Sequence, residues 1–372
     1  MINQLHKKPK VLFVGAFKQT MDGSVGGQIH ACVTLIKSEI SNKVDFTLID
    51  STMETLPPPS LMRRAYLAFK RVIIFLYRLS TNRFDTVLIF TSTGFSFLEK
   101  GCMALLAKIF RVRVILSPRS GLLVDEVTRI KVMRWYVKFI LCRCDIVLCQ
   151  SQSWKRFYQD LTQLPSSRFS IIKNWLNPLP YFELPIQKKF DNQVNVLFLG
   201  WVEKNKGIYE LVLAVKKYQN RLPNFIFVVC GKGSELKNIK ELVAQYNLKH
   251  YFEFKGWVTG DEKLTVLRDA DILVMPSYRE GLPNSLLEAM ASGCSVIASS
   301  VGAIPDVIKN KQNGILIDRF DVDQLANALI YLASSSKIRI EMGKEARSTI
   351  SSQHDIKIIW KDVFRLLSNQ ET

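Results

Sequence analysis

Two runs of strand-like segments alternating with helix-like ones, parted by a proline-bearing stretch, constrain this chain more than any other feature. The first run opens with Val11–Phe17 and returns at Val44–Asp50, Asp85–Phe90, Val112–Ser117, Asp145–Ser151 and Phe169–Asn174. Helix-like stretches such as Gln28–Ile40 lie between most of them. Strands made of near-continuous Val, Ile and Leu, alternating with helices, predict a parallel sheet covered on both faces. Leu176–Gln193, with Pro178, Pro180 and Pro185, reads as a linker. The pattern then restarts at Val194–Gly200, Phe225–Gly231, Tyr251–Phe254, Ile272–Pro276, Ser295–Ser299 and Gly314–Asp318. Two successive parallel α/β domains are the economical reading of these 372 residues. Open α/β sheets bind ligands at the carboxyl ends of their strands, so a cleft between the domains is the default ligand site.

A chain that is 48% hydrophobic and 23% charged can build packed cores, which excludes a disordered protein. Its apolar runs, Val72–Tyr77 among them, fall far short of the ~18 residues of a membrane-spanning helix. The opening MINQLHKKPK lacks an apolar core, so no secretory signal is expected. The seven cysteines, at 32, 102, 142, 144, 149, 230 and 294, are scattered and odd in number, as free thiols of a cytosolic protein would be.

The formal charge of +18 is unevenly spread. Residues 1–180 hold 26 Lys and Arg against 11 Asp and Glu, a net of +15, which leaves +3 for the rest. An anionic partner met by the first half is the physical implication. Pro59–Ser80 carries Arg63, Arg64, Lys70, Arg71 and Arg78 on an otherwise apolar helix pattern, and Arg129–Arg143 carries Lys131, Arg134 and Lys138 beside Trp135 and Phe139. Both fit helices lying on an anionic lipid surface, and both equally fit core-packed helices with a solvated basic edge. No nucleic-acid motif or zinc pattern accompanies them, so a nucleic-acid partner is not expected.

Several post-strand loops carry residues suited to anions. Gly26-Gly27 precede a helix, where free N–H groups attract phosphate, although such a pair also makes ordinary turns. Gly231-Lys232-Gly233-Ser234 is a second such nest; Leu236 stands where a dinucleotide fingerprint needs its next glycine, which argues against NAD. Lys206, in the loop from Gly200 to Gly207, could meet a diphosphate as a point charge. The segment Arg279–Met290 is the sharpest. Glu280 lies in the loop after a strand and Glu288 about one turn into the next helix, while Gly281 and Leu282 present N–H groups at the helix start. Asp269-Ala-Asp271 has the look of a metal-binding Asp pair but precedes a buried strand, as an entry turn does. Cys142-Arg-Cys144 lacks a second ligand pair, and no histidine has a triad setting.

Together these segments resemble the retaining glycosyltransferases of family 4. The resemblance runs through FLGWVEKNKG (198–207), VVCGKGSEL (228–236), FKGWV (254–258), MPSYREGLPNSLLEAMASGCSVIAS (275–299) and VGAIPDVIKNKQNGILI (301–317). In the first half, Gly26-Gly27, SPRSGLL (117–123) and IIKNWLN (171–177) fall where the family has its glycine loop, mid-domain loop and Asn-bearing strand end.

The resemblance implies a GT-B fold, an α/β architecture of two Rossmann-like parallel-sheet domains facing a cleft. Residues 1–183 would form the acceptor-side domain, 190–352 the nucleotide-sugar domain, and 353–372, around Trp360, a helix returning to the first domain. It further implies retaining, metal-independent transfer with no cofactor beyond the nucleotide sugar itself. By position Lys206 would neutralise the diphosphate, Glu280 would contact sugar hydroxyls and Glu288 the ribose. Gly281, Leu282 and Asn284 would line the sugar and phosphate site and Val258 would flank the base. Gly200, Gly231 and Gly233 complete the donor side, and Gly26-Gly27 would close on the phosphates from the first domain. Two departures stand out: Trp201 occupies a place where the family often has Arg, and Arg119 one where it often has His. Arg119, Asn174 and Trp201 are therefore candidates for a further diphosphate or acceptor contact.

Family association points to a lipid-linked glycan acceptor in bacterial lipopolysaccharide, O-antigen or capsule assembly. The expected place is the cytoplasm, peripherally on the inner face of the membrane. A sugar-nucleotide epimerase or phosphorylase on the same fold, and a non-catalytic basic membrane-binding protein, are the competing readings.

Overall fold

A computed structural model describes residues 8–19, 26–55, 59–186, 193–222 and 224–369. In chain order the elements are β1 (Lys10–Gly15), α1 (Gly27–Ile36), β2 (Asp45–Asp50), α2 (Leu61–Thr81), β3 (Thr86–Thr91), α3 (Phe95–Ile109), β4 (Arg113–Pro118), α4 (Gly121–Arg129), α5 (Lys131–Leu141), β5 (Ile146–Cys149), α6 (Gln152–Thr162), β6 (Phe169–Ile171) and the short α7 (Leu179–Phe182). There follow β7 (Val194–Leu199), α8 (Ile208–Tyr218), β8 (Phe225–Cys230), α9 (Leu236–Gln245), β9 (Phe252–Gly256), α10 (Gly260–Asp269), β10 (Ile272–Met275), α11 (Asn284–Ala291), β11 (Ser295–Ser299), β12 (Ile315–Ile317), α12 (Val322–Ala333), α13 (Ser336–Gln353) and α14 (Ile356–Leu367).

The chain divides into two compact units, Met1–Leu176 with Ile356–Thr372, and Asn177–Asp355. The first holds a six-stranded sheet in the order β2-β1-β3-β4-β5-β6, and the second a six-stranded sheet in the order β12-β11-β10-β7-β8-β9. Every pairing is parallel. The apolar runs explain this: Val11, Leu12, Phe13 and Val14 of β1 are all buried, as is the whole of β3, so both sheet faces must be covered by helices. In the second sheet β7 pairs with both β8 and β10, so the chain reverses its direction of travel there. The loops after β7 and β10 therefore leave neighbouring strands at the point of reversal, the place where open α/β sheets bind ligands.

Helix α14 packs into the first unit's core. Its Ile356, Ile359, Val363 and Leu367 cluster with Val11, Phe13, Leu35 and Ile40, and Arg113 donates a 2.6 Å bond to the Leu366 carbonyl.

The helix expected over 28–40 is broken. Helix α1 stops at Ile36 and a separate turn covers Glu39–Asn42, because Ser38 donates to the Leu35 carbonyl and its oxygen accepts from the Ile40 N–H. The expected linker is more ordered than its prolines suggest. Residues 187–192 lie outside the described residues, as does the expected domain start at 190. Leu176 is fully buried in the first unit, and α7 follows it with Tyr181 buried. One side chain accounts for that order: Arg347 of α13 donates to the carbonyls of Tyr181, Phe182 and Leu184, and to those of Ala291 and Ser292 at the end of α11, at 2.8–3.4 Å.

Helix α2 has two apolar faces. Ala68, Phe75 and Leu79 point into the first unit, and Arg71 ties the helix to α3 through bonds of 2.6 and 3.0 Å to Glu99. Met62, Tyr66, Phe69, Ile73 and Tyr77 recur at spacings of three and four on the other side and are exposed, Met62 to 84%. On α5, Val132 and Trp135 are likewise exposed. Neither alternative of the sequence reading is complete: each helix packs on the core and still presents apolar residues outward. Among the described residues no helix is long and apolar enough to cross a membrane.

Candidate active site

The carboxyl ends of the second sheet's strands bring the sharpest residues together. After β7 the chain makes a short turn over Lys204–Lys206 and enters α8 through Gly207, whose φ is +72°. A Cβ on Gly207 would stand 1.9 Å from the Pro276 carbonyl oxygen, so only glycine lets α8 start this close to the end of β10. Tyr278 N–H then bonds the Asn205 carbonyl at 2.8 Å, which zips the two loops. Their side chains meet: Lys206 Nζ lies 2.6 Å from Glu280 Oε1, with the carboxylate almost buried. The loop after β11 braces this pair from beneath. Gly302, at φ +60°, would put a Cβ 2.1 Å from the Glu280 carbonyl oxygen, and Ala303 N–H bonds the Gly281 carbonyl at 2.9 Å.

Asn284 opens α11, and Leu282 is buried just before it. Glu288, one turn further, is 4% exposed. Its Oε1 accepts from Lys263 Nζ of α10 at 2.7 Å, and it also accepts a hydrogen bond from the Tyr181 hydroxyl. Burial, and then the Glu288 charge, pushes the Tyr181 phenol far above its ordinary range, so it stays a donor. Each of the two acidic residues of the segment 279–290 is thus closed by a lysine.

Gly200, Gly231 and Gly233 meet at the ends of β7 and β8. Gly200 N–H bonds the Cys230 carbonyl and Val202 N–H the Lys232 carbonyl, both at 3.0 Å. Trp201, which follows β7, packs on Trp257, which follows β9, with ring centroids 4.8 Å apart. Lys232 Nζ lies 5.6 and 5.3 Å from the two rings, a distance at which the indole faces attract a cation. Val258 is buried immediately after Trp257.

Arg119 and Asn174 come together in the first unit. The Arg119 guanidinium donates to Asn174 Oδ1 at 2.5 Å and lies over the Phe90 and Trp175 rings, 4.5 and 4.9 Å from their centroids. Burial lowers its pKa to about 10, with the Cys32 thiol the opposing influence, so it is a cation at neutral pH. Among the described residues no carboxylate pairs with it. Trp175 in turn donates to the Ala31 carbonyl of α1 at 3.1 Å, the helix that Gly26 caps and Gly27 begins.

The Asp269–Asp271 segment serves the backbone. Asp271 accepts from the Asn195 N–H at 2.9 Å and Asp269 pairs with Arg268. Among the described residues no three His, Cys, Asp or Glu gather as metal ligands. Sequence reasoning missed Lys263 and Tyr181. Neither lies in a glycine-rich loop or the acidic segment, and each reaches Glu288 only through the folded chain.

Residues 182–349 match the family described as glycosyl transferases group 1. The chain is 29% identical over 220 residues to an uncharacterized glycosyltransferase of Methanocaldococcus jannaschii, covering 56% of this chain and 55% of that one. It is 29% identical over 157 residues to the Escherichia coli UDP-Gal:α-D-GlcNAc-diphosphoundecaprenol α-1,3-galactosyltransferase, covering 42% and 40%. The chain spans about half the length of the curated relatives it matches. Among solved structures, Anabaena HepE in complex with UDP superposes with a TM-score of 0.75 at 15% identity, over 97% of this chain and 100% of that one. The two six-stranded parallel sheets are those of a GT-B protein. Residues 182–349 are thus similar in sequence to the glycosyl transferases group 1, and the chain as a whole has the fold of a GT-B protein.

Proposed function

We propose that this chain moves a sugar, with retention of configuration, from a nucleotide-diphosphate sugar to a lipid-linked glycan acceptor in bacterial surface polysaccharide assembly. The observation that carries the reading is the Lys206–Glu280 pair at the reversal point of the second sheet. As the bond from the anomeric carbon to the phosphate oxygen breaks, negative charge builds on the leaving diphosphate. A fixed ammonium and oriented N–H groups bind that charge more tightly in the transition state than in the ground state. Lys206 does this, and in the loaded site Glu280 exchanges its lysine partner for sugar hydroxyls. The acceptor oxygen attacks from the leaving-group side, and its proton passes to the departing phosphate oxygen. Glu288 holds the ribose; Gly281, Leu282 and Asn284 line the sugar and phosphates; Val258 flanks the base; Gly200, Gly231 and Gly233 let the backbone approach. Trp201 is the further donor-side contact.

The name of the Escherichia coli relative, with its diphosphoundecaprenol acceptor, supports a lipid-linked acceptor, and the HepE complex supports a uridine nucleotide. The outward apolar stripe of α2, the exposed Trp135 of α5 and the +15 of residues 1–180 support a peripheral seat on the anionic inner face of the cytoplasmic membrane.

The first experiment is thermal stabilisation by UDP, GDP, ADP, CDP and dTDP without divalent metal, beside Lys206→Ala. A nucleotide at 100 times its Kd adds about 2.7 kcal/mol. Stabilisation by one of them, lost in the variant, is the expected result; no shift with any nucleotide in folded protein sinks the proposal.

A further inference from the structure

We propose that Tyr181 is a positioning residue of the donor site, fixing the Glu288 carboxylate, together with Lys263, in the orientation that accepts from the vicinal hydroxyls of a ribose. The inference rests on the reading of Glu288 as the ribose contact and adds the residue that aims it.

The geometry begins with a burial problem. Glu288 sits in α11 at 4% exposure, where an unpaired carboxylate would be costly. Two donors of different kinds reach it: the Lys263 ammonium at 2.7 Å on Oε1, and the Tyr181 hydroxyl. A carboxylate has about four lone-pair positions, so two donors leave room for a diol. An ammonium on a four-carbon stem is a mobile point charge and fixes no plane. A phenol at the end of a rigid ring, itself 6% exposed, does fix one.

Tyr181 is held for that task. It lies in α7, in the segment by which the chain enters the second unit. Arg347 clasps the carbonyls of Tyr181, Phe182 and Leu184 and, with the same guanidinium, those of Ala291 and Ser292 at the end of the helix that carries Glu288. Helix α13 comes close enough to do so because Gly343 faces the Gly293 carbonyl, where a Cβ would stand 2.1 Å from the oxygen. One cation therefore fixes the distance between the base of the tyrosine and the helix of its acceptor. This much bracing of a short connector is more than chain continuity needs.

The test compares ribose discrimination in full-length wild type, Tyr181→Phe and Glu288→Gln. Affinities of UDP, GDP and ADP are measured against their 2′-deoxy counterparts, with thermal melts to show that each protein is folded. Donor KM and kcat are measured for the nucleotide sugar of the base that binds. Wild type should prefer the ribonucleotide about tenfold or more, as expected for a hydroxyl bonded to a buried carboxylate. The preference should fall to within about twofold in both variants. In Tyr181→Phe the donor KM should rise about tenfold with kcat nearly unchanged. A ring that served only to pack would leave the ribose preference intact, because phenylalanine keeps the ring. Loss of preference in Glu288→Gln with full preference in Tyr181→Phe overturns the role of Tyr181 and leaves that of Glu288 standing. A preference kept in both variants, or absent from wild type, overturns the role of Tyr181 along with the ribose reading of Glu288.

Discussion

Lys206 and Glu280 stand 74 residues apart in sequence and 2.6 Å apart in space, each carried by a loop that leaves one of two neighbouring strands, β7 and β10. A pair placed there is spent on itself until an anion arrives. Lys206→Ala should abolish nucleotide stabilisation and cut turnover at least a hundredfold, the scale of removing one preorganised charge contact. Glu280→Gln should keep nucleotide binding, since the amide no longer competes for Lys206, and lose turnover. Paired binding and single-turnover measurements separate the two effects.

Gly302 supports Glu280 through close approach of the backbone. Gly302→Ala combines a left-handed φ with a Cβ 2.1 Å from the Glu280 carbonyl oxygen. A loss of more than about 2 kcal/mol is expected, with reduced activity in the protein that still folds. Urea unfolding and activity at 20 °C check it; near-wild-type values on both would show that the loop after β11 does not brace the site.

Arg119 is a cation held by aromatic faces and one amide. Burial lowers its pKa to about 10, so the folded state binds this proton less readily than the unfolded chain does. The sign follows: the cost of the buried charge is fully present below about pH 10 and is relieved only as pH rises through that value. Arg119→Met should therefore raise the melting temperature at neutral pH, by an amount constant from pH 6 to 9, and lower turnover. A variant that melts lower, or keeps wild-type turnover and donor KM, removes the case for this cation serving a substrate.

The outward stripe of α2 contributes little to folding. A triple change of Tyr66, Phe69 and Ile73 to Ser, all at exposed positions, should shift stability by no more than about 0.5 kcal/mol per site. Binding to vesicles containing anionic lipid should fall at least tenfold, and added salt should weaken the wild type in the same direction. Failure of the wild type to bind such vesicles at low salt ends the membrane reading.

Trp201 and Trp257 should behave as one unit with Lys232. Trp201→Ala removes an aromatic pair and a cation–π contact from a half-buried position, and a loss of about 2 kcal/mol is expected. Chemical denaturation of the single and double Trp variants should give a sum smaller than its parts, as coupled residues do. Strict additivity would show that the rings stand independently.

The two sheets were legible because buried parallel strands must be apolar on both faces, and the runs from Val11 and Val194 could serve as little else. Lys206, Glu280 and Glu288 were legible because a local segment carries each with its loop or helix start. Lys263 and Tyr181 were not: α10 and α7 reach Glu288 from separate parts of the chain, and no spacing within either reveals the encounter. Leu176–Gln193 was read as a connector because proline dominates local reasoning, whereas the order of α7 comes from Arg347, far along the chain. Arg119 was singled out for its place, but its bed of Phe90 and Trp175 is a tertiary fact.

The last helix has a consequence for how this protein is made. Ile359 and Val363 belong to the same core as Val11 and Phe13, so the first unit is missing a wall until Ile356–Leu367 has been synthesised. The second unit, Asn177–Asp355, has its whole sequence available earlier and is poised to complete first, during synthesis. Until then the first unit waits with an apolar seam open, and a chain cut short before Ile356 would keep it open permanently.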